Sequence, residues 1–401
     1  MFPTRCVVTV LVDRVGMTQT ILRVGILTDG GQAIRNIYLP ALRALHESYY
    51  VAVLYDSSQL CPQDGIDDYL PKIVSNPDDV LHDPAVDLVV NFMPNEYHEI
   101  YTIAALEAGK HVMVETPVSL SIPSARRIIE AEKRAPNQAK VFVASARRHA
   151  PCFENFKKEA ASLDRIYYAR CRNIAGPHSA HTATTPKNKH LAKSGSISNV
   201  LSLNEQHGER LRHCLLREIF QGEELTAERL SLCRFLASLG CHDLGLMRDT
   251  LGYPDAISNI TVNEPFYSAV FHYNGSVSRG HHPFTLIYET GTDSVPRCDA
   301  HLALYGNTKT VSMHYDLPYA LGEPLRVVVE TADDKGELKK TESVSSWEDA
   351  YAAELKALHA YLTNGQPAQT TAKDSLQDVK LFQTIFEQYD RQCGTIRTPL
   401  G

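Results

Sequence analysis

Three places in the chain carry residue types and spacings that could do chemistry. The first is Thr28-Asp29-Gly30-Gly31-Gln32-Ala33, a glycine turn between an apolar run and an amphipathic one. In a nucleotide-binding βαβ unit such a turn bends sharply and brings its backbone up to a pyrophosphate, whose charge then faces a helix N-terminus. Gly30 and Gly31 supply part of this. The G-x-G-x-x-G/A spacing falls on Thr28-x-Gly30-x-x-Ala33, so the first glycine is absent. The second place is Glu115-Thr116-Pro117, a polar corner closing another apolar run. The third is His242, which follows Gly240 and precedes a run with Leu244, Leu246, Met247 and Leu251. A helix N-terminus lowers a histidine's pKa and favours the neutral ring, which suits a base or a hydrogen-bond donor. Asp243 could orient that ring or cap the helix. A core histidine bonded to backbone is the alternative.

Asp29 matters for its sign. A helix N-terminus favours an anion by ~0.3–1 kcal/mol, whereas two unit charges ~4 Å apart repel by roughly 4 kcal/mol at an effective dielectric of 20. A carboxylate aimed at the phosphates defeats the cradle. One that turns aside and caps the following helix costs little. The sequence leaves both placements open.

These residues need elements to position them. Residues 22–27 read as a buried strand, and 34–45 as a helix with Ile37, Leu39, Leu42 and Leu45 on its apolar stripe. Further strand-like runs at 50–55, 86–93, 111–114 and 141–144 alternate with helical patterns, which predicts a parallel sheet covered on both faces. Its ligand crevice belongs at the carboxyl ends of the strands. Gly30, Asp56, Pro94, Asn95, Glu115 and Arg148 all sit just past such ends. Asp56 is placed to accept hydrogen bonds from an adenosine ribose and would repel the extra phosphate of NADP, which leans towards NAD. Asp56-Ser57-Ser58 is equally a turn-forming sequence, and its serines, Ser57 first, could accommodate a phosphate.

Composition narrows the function classes. The chain has 401 residues, enough for two domains of ordinary size, with 43% hydrophobic and 22% charged residues. A net charge of -7 without a basic block excludes nucleic acid as the expected main partner. Nine cysteines with no C-x-x-C pair and no His/Cys cluster at metal spacing predict reduced thiols, a cytoplasmic setting and no metal site. No run is long enough to span a membrane. The predicted organisation is an extension over 1–20, a Rossmann domain over 21–150, and a C-terminal domain over 151–401 with a helical insertion at about 195–236. The polar loop from 176 to 193 holds His178, an acid/base candidate whose alternative is an ordinary solvated histidine.

Residues 22–148 resemble a known family. Leu39-Pro40-Ala41-Leu42, Pro94-Asn95-x-x-His98, Ala105-Leu106-x-Ala108-Gly109-Lys110-His111-Val112 and Glu115-Thr116-Pro117 are similar to the glucose-fructose oxidoreductase, inositol dehydrogenase and rhizopine catabolism family (Gfo/Idh/MocA). Leu239-Gly240-Cys241-His242 and the closing helix at 373–389 extend the resemblance. It implies an α/β protein: an N-terminal Rossmann parallel sheet and a C-terminal α/β domain with an open, mainly antiparallel sheet through which homo-oligomers form. It also implies an oxidoreductase using NAD or NADP on a sugar, polyol or related carbonyl. Gly30, Gly31, Asp56, Ser57, Pro94, Asn95, His98, Glu115 and Arg148 are the expected cofactor-binding residues, and His242, Asp243, Thr116 and His178 the expected catalytic ones.

Two departures stand out against that family. Its Glu-Lys-Pro lysine falls on Thr116, and the aspartate four residues before its catalytic histidine falls on Ser238, while the histidine is kept as His242. A lysine there can donate a proton and stabilise developing negative charge; a threonine hydroxyl can only hydrogen-bond. Three functions remain consistent with these residues: a nicotinamide-dependent oxidoreductase relying on His242, a redox-neutral isomerase, dehydratase or cyclase on the same scaffold, and a non-catalytic binding protein.

Overall fold

The structure is a computed structural model describing residues 10–12, 18–31, 33–58, 71–176, 197–275, 282–320 and 323–396. Its contacts divide the chain into two compact units. Unit 1 comprises Met1–Ser119, Pro123–Ala144 and Tyr351–Asp374, and unit 2 comprises Leu120–Ile122, Ser145–Ala350 and Ser375–Gly401.

Ahead of the main sheet, β1 (Val10–Val12) and β2 (Thr18–Thr20) pair antiparallel within the expected extension. Unit 1 is then built on β3 (Leu22–Thr28), β4 (Tyr49–Asp56), β5 (Lys72–Val74), β6 (Leu88–Phe92), β7 (His111–Val114) and β8 (Val141–Val143). All pairings are parallel, in the order β5-β4-β3-β6-β7-β8. β6 and β8 are buried throughout, because both faces of a doubly wound sheet are covered. The order reverses at β3, so the carboxyl ends of β3 and β6 flank the topological switch point.

The helix after the glycine turn is not uniform. Residues Ala33–Tyr38 are wound as a π-helix and Leu39–Ala44 as an α-helix. Pro40 has no N–H to donate, so the hydrogen-bond ladder is reset there.

Residues 351–374, read from sequence as part of the C-terminal domain, pack with unit 1. The Tyr49 hydroxyl donates to Leu355 O at 2.6 Å, Lys140 Nζ to Tyr361 O at 3.0 Å, and the Val143 N–H to Thr370 O at 2.7 Å, which covers the β8 edge. Tyr38 donates to the fully buried Glu354 at 2.8 Å. Linear reading missed this because a segment's domain is set by what its buried face meets, which its own periodicity does not reveal.

Unit 2 carries an eight-stranded sheet in the order β10-β11-β12-β9-β13-β14-β15-β16. The strands are β9 (Tyr168–Ala175), β10 (Ala256–Asn263), β11 (Phe266–Tyr273), β12 (Phe284–Thr292), β13 (Cys298–Tyr305), β14 (Lys309–His314), β15 (Leu325–Ala332) and β16 (Leu338–Ser345). Every pair is antiparallel except β12 with β9. One face alternates inward, with Ala169, Cys171, Leu302, Met313 and Val327 in a core shared with Phe153, Leu244, Phe382 and Phe386. The other face presents Arg170, Arg172, Glu289, Asp299, His301 and His314, linked by the pairs Arg170–Glu289 and Arg172–Asp299. The helical stretch expected near 195–236 is two helices, Ile197–Ile219 and Ala227–Phe235. Among the described residues no helix is long and apolar enough to cross a membrane.

Tyr38→Phe removes one donor to a buried carboxylate, which is expected to lower stability by ~1–3 kcal/mol. Urea unfolding of the full chain checks this, and an unchanged midpoint would refute the bond's contribution.

Candidate active site

In unit 1 Gly30 and Gly31 follow β3, Asp56 and Ser57 close β4, Pro94 and Asn95 follow β6, and Glu115 follows β7, each at the carboxyl end of its strand. Gly30 has a φ of 79°, in the left-handed region, and a Cβ there would meet Ser58 Oγ at 1.9 Å. Only glycine fits. Asp56, nearly buried at the end of β4, accepts at Oδ1 from the Ser58 N–H at 2.9 Å and from the Ser58 hydroxyl at 2.7 Å. The Ser57 N–H donates to Thr28 O at 3.0 Å, tying the ends of β3 and β4 together. Asp56 thus makes the turn its sequence allowed, at a strand end suited to a ribose.

The glycine turn satisfies its own donors. The Gly30 N–H donates to Thr28 Oγ1 at 3.1 Å, and the Gly31 N–H to Asp29 Oδ1 at 3.2 Å. Asp29 therefore adopts neither placement weighed from the sequence; it lies back on the turn itself. Two buried atoms of unit 1, Arg35 Nε in the helical segment after the glycine turn and Asn95 Oδ1 at the start of the helix Asn95–Glu107, have no hydrogen-bond partner among the described residues. Buried polar atoms are nearly always paired, so this end of the sheet has capacity for a polar ligand. The residues fit a dinucleotide once Asp29 is moved.

Pro94 precedes the helix Asn95–Glu107, whose first residue is Asn95. His98 on that helix is 1% exposed, and its ring nitrogens face Pro117 O and Met93 O, each at 2.9 Å. Sequence placed His98 among the cofactor contacts. In the structure it is a positioning residue, linking the segment before Asn95 to the Glu115-Thr116-Pro117 corner. Burial pushes its pKa down to about 4, so at neutral pH the ring donates to one carbonyl only. Glu115 and Thr116 are partly buried, the Glu115 N–H donates to Asn91 O at 3.1 Å, and the Thr116–Pro117 peptide is cis.

In unit 2 His242 lies in the α-helix Cys241–Leu251, which continues the winding of Ala227–Phe235 and of the π-wound segment Leu236–Gly240, so the free helix N-terminus expected beside it is absent and burial takes its place in lowering the ring's pKa. Short π-wound segments are frequent at functional sites. The His242 ring meets Tyr319 edge to face at 5.9 Å, and Tyr319 has a φ of 62°, a conformation a tyrosine rarely adopts. Burial, reinforced by the charge of Arg147, pushes His242 down to about 3. The ring is neutral, though part of the residue remains exposed.

Asp243 points the other way and is fully buried. Its carboxylate accepts from Arg147 Nη1 at 3.1 Å, from Asn173 Nδ2 at 3.0 and 3.1 Å, and from the Tyr288 hydroxyl at 3.2 Å. Burial pushes its pKa up, while Arg147, Asn173 and Tyr288 pull it down by stabilising the charged form. Arg147 also donates to Asp316 O and stacks 4.3 Å from the Tyr315 ring. Asp243 is therefore an anchor beneath His242.

Two other expectations change. Arg148, expected at the cofactor, groups with unit 2 and gives its Nε to Asp249 at 3.0 Å, buried at 5% exposure. Its neighbour Arg147 is the arginine of the His242 region; the sequence offered two adjacent arginines with nothing local to tell them apart. Ser238 donates back to Arg234 O at 2.9 Å within its own helix. His178 lies outside the described residues. Asn173, which sequence reading passed over, had a legible signal: it is a polar residue at an inward position between Cys171 and Ala175 on β9.

The described residues thus combine a parallel sheet of dinucleotide-binding type with an open, mainly antiparallel sheet and a helix-borne histidine. Residues 23–144 match the family model GFO_IDH_MocA, described as the oxidoreductase family with an NAD-binding Rossmann fold. Over that stretch the chain is similar to the Gfo/Idh/MocA family. It is similar to inositol 2-dehydrogenase of Paracoccus denitrificans, 29% identical over 35% of this chain and 42% of that protein. It is also similar to an uncharacterized protein of Saccharomyces cerevisiae, 25% identical over 52% of this chain and 59% of the yeast protein. The matched region spans less than two thirds of the length of either relative. Among solved structures, aldose-aldose oxidoreductase from Caulobacter crescentus superposes with a TM-score of 0.64 at 16% identity, covering 93% of this chain and 98% of that one. Biliverdin reductase from Synechocystis, solved with biliverdin and NADP+, gives a TM-score of 0.59 at 16% identity, covering 92% and 98%. At these identities the likeness is one of fold.

Between the ordinary histidine value of 6.5 and about 4, the unfolded chain takes up protons at His98, His149 and His242 that the folded chain refuses. Stability contributed by these neutral rings is therefore present above 6.5 and lost as pH falls below it. Imidazole NMR resonances of all three are expected not to titrate between about pH 8 and 5; a titration midpoint near 6.5 for His242 would refute its neutral state.

Proposed function

We propose that the chain is an NAD(P)-dependent oxidoreductase acting on a hydroxyl or carbonyl of a sugar, polyol or polyketide-like small molecule. In this reading Thr116 stands where the family carries its catalytic lysine, and His242 takes over the polar chemistry. The observation that carries the reading is the part-exposed His242 ring, set edge to face with Tyr319 at 5.9 Å and next along its helix to Asp243, which Arg147 holds in an ion pair at 3.1 Å. A bound nicotinamide supplies or accepts the hydride. What falls to the chain is the charge on the substrate oxygen. A ring with a pKa near 3 holds an extra proton poorly, so His242 acts as a neutral N–H donor to the developing oxyanion, and the proton that the hydroxyl gains or loses is exchanged with water. Thr116 adds at most a hydroxyl. Because a missing positioned acid typically costs ~10²- to 10⁴-fold, turnover is expected to be slow for this family.

Asp56 favours NAD over NADP by its charge. We also infer a homo-oligomer joined through the polar open face of the C-terminal sheet, a cytoplasmic setting, and neither nucleic acid nor membrane as partner. A second reading has its own observation. The self-satisfied glycine turn suits a redox-neutral isomerase, dehydratase or cyclase, or a non-catalytic binding protein.

Calorimetric titration of the cofactor-stripped protein with NAD(H) and NADP(H) separates the two. Micromolar binding of any of the four is expected, and its absence for all would remove the oxidoreductase reading. In a redox screen of sugars, polyols and ketones, His242→Ala is expected to lower kcat by ~10²-fold or more, while Thr116→Lys retains activity. Wild-type rates in His242→Ala would sink the role given to His242.

A further inference from the structure

We propose that Asp29 is a built-in anionic competitor for the cofactor's pyrophosphate, holding the glycine turn in a closed state that the cofactor must open. The inference rests on the cofactor reading above and specifies how that site is regulated. The argument begins with donors. A pyrophosphate is held at such a turn by backbone N–H groups. Here the N–H groups of both glycines are already occupied, by Thr28 Oγ1 and Asp29 Oδ1.

The two occupants differ. Thr28 is fully buried, neutral and part of β3, so its hydroxyl stays. Asp29 is exposed, and its carboxylate oxygen on the Gly31 N–H reproduces the chemistry of a phosphate oxygen there: anionic, acceptor only, on the same donor. A phosphate competing for the same donor would be repelled by that charge. Asp56 is a second negative group near Asp29, and Arg35 is the neighbouring cation. Arg35 Nε is also one of the buried atoms that the described residues leave without a hydrogen-bond partner. When Asp29 swings out, its charge leaves and the Gly31 donor becomes available.

The test compares the full-length protein with Asp29→Asn and Asp29→Ser. Asparagine keeps an acceptor oxygen of the same reach without the charge, and serine keeps a shorter one. Binding of NADH and NADPH is followed by calorimetry, with the melting temperature as a control for folding. Both variants are expected to bind about tenfold more tightly than wild type, a change confined to Kd. Binding by the variants alone would overturn the proposal that the cofactor opens this turn, and the oxidoreductase reading with it. Equal Kd values in variants and wild type overturn the competitor role and leave the cofactor reading standing. Failure of all three proteins to bind either dinucleotide overturns both.

Discussion

The buried Asp243 carboxylate is the constraint on which the candidate catalytic unit depends. A charge taken out of water needs its attractions replaced in full, and removing one partner of a buried pair typically costs about 3–5 kcal/mol. Arg147, Asn173 and Tyr288 provide the replacement from three separate places: the segment after β8, strand β9 and strand β12. Because each donor is on a different element, the carboxylate fixes their mutual placement. It also fixes the first turn of the helix that bears His242.

This explains how neighbouring residues divide the work. On a helix, consecutive side chains point about 100° apart, so Asp243 can be wholly internal while His242 keeps an accessible edge. The Arg147 charge that secures Asp243 also discourages a proton on His242. Burial is the larger cause of the histidine's neutral state, and the arginine that anchors Asp243 reinforces it.

Unit 1 shows the opposite economy. Its strand ends carry the features of a dinucleotide site, yet the glycine turn and the Asp56 turn bond to themselves. His98 holds the corner rigid through two backbone carbonyls. The polar capacity left over is at Arg35 and Asn95. Affinity for a cofactor is therefore a difference between bonds made to the ligand and bonds given up within the protein.

Much of the framework was determined by sequence alone. Strands β3, β6 and β7 are mainly apolar because a parallel sheet is buried on both faces, and such runs are legible in one dimension. The three-residue β5 and the polar edge strand β16, Leu-Lys-Lys-Thr-Glu-Ser-Val-Ser, escaped because short or edge strands need no such pattern. The glycine at position 30 and the histidine at position 242 were legible for a similar reason: each is a residue type with special local capability. What the tertiary structure alone decided was where the polar groups spend their bonds. Arg147 rather than Arg148 meets Asp243, His98 clamps backbone, Asp29 covers Gly31, and residues 351–374 join unit 1. Hydrophobic burial leaves a period in the sequence, whereas a hydrogen bond or an ion pair depends on a partner whose position only the folded chain supplies.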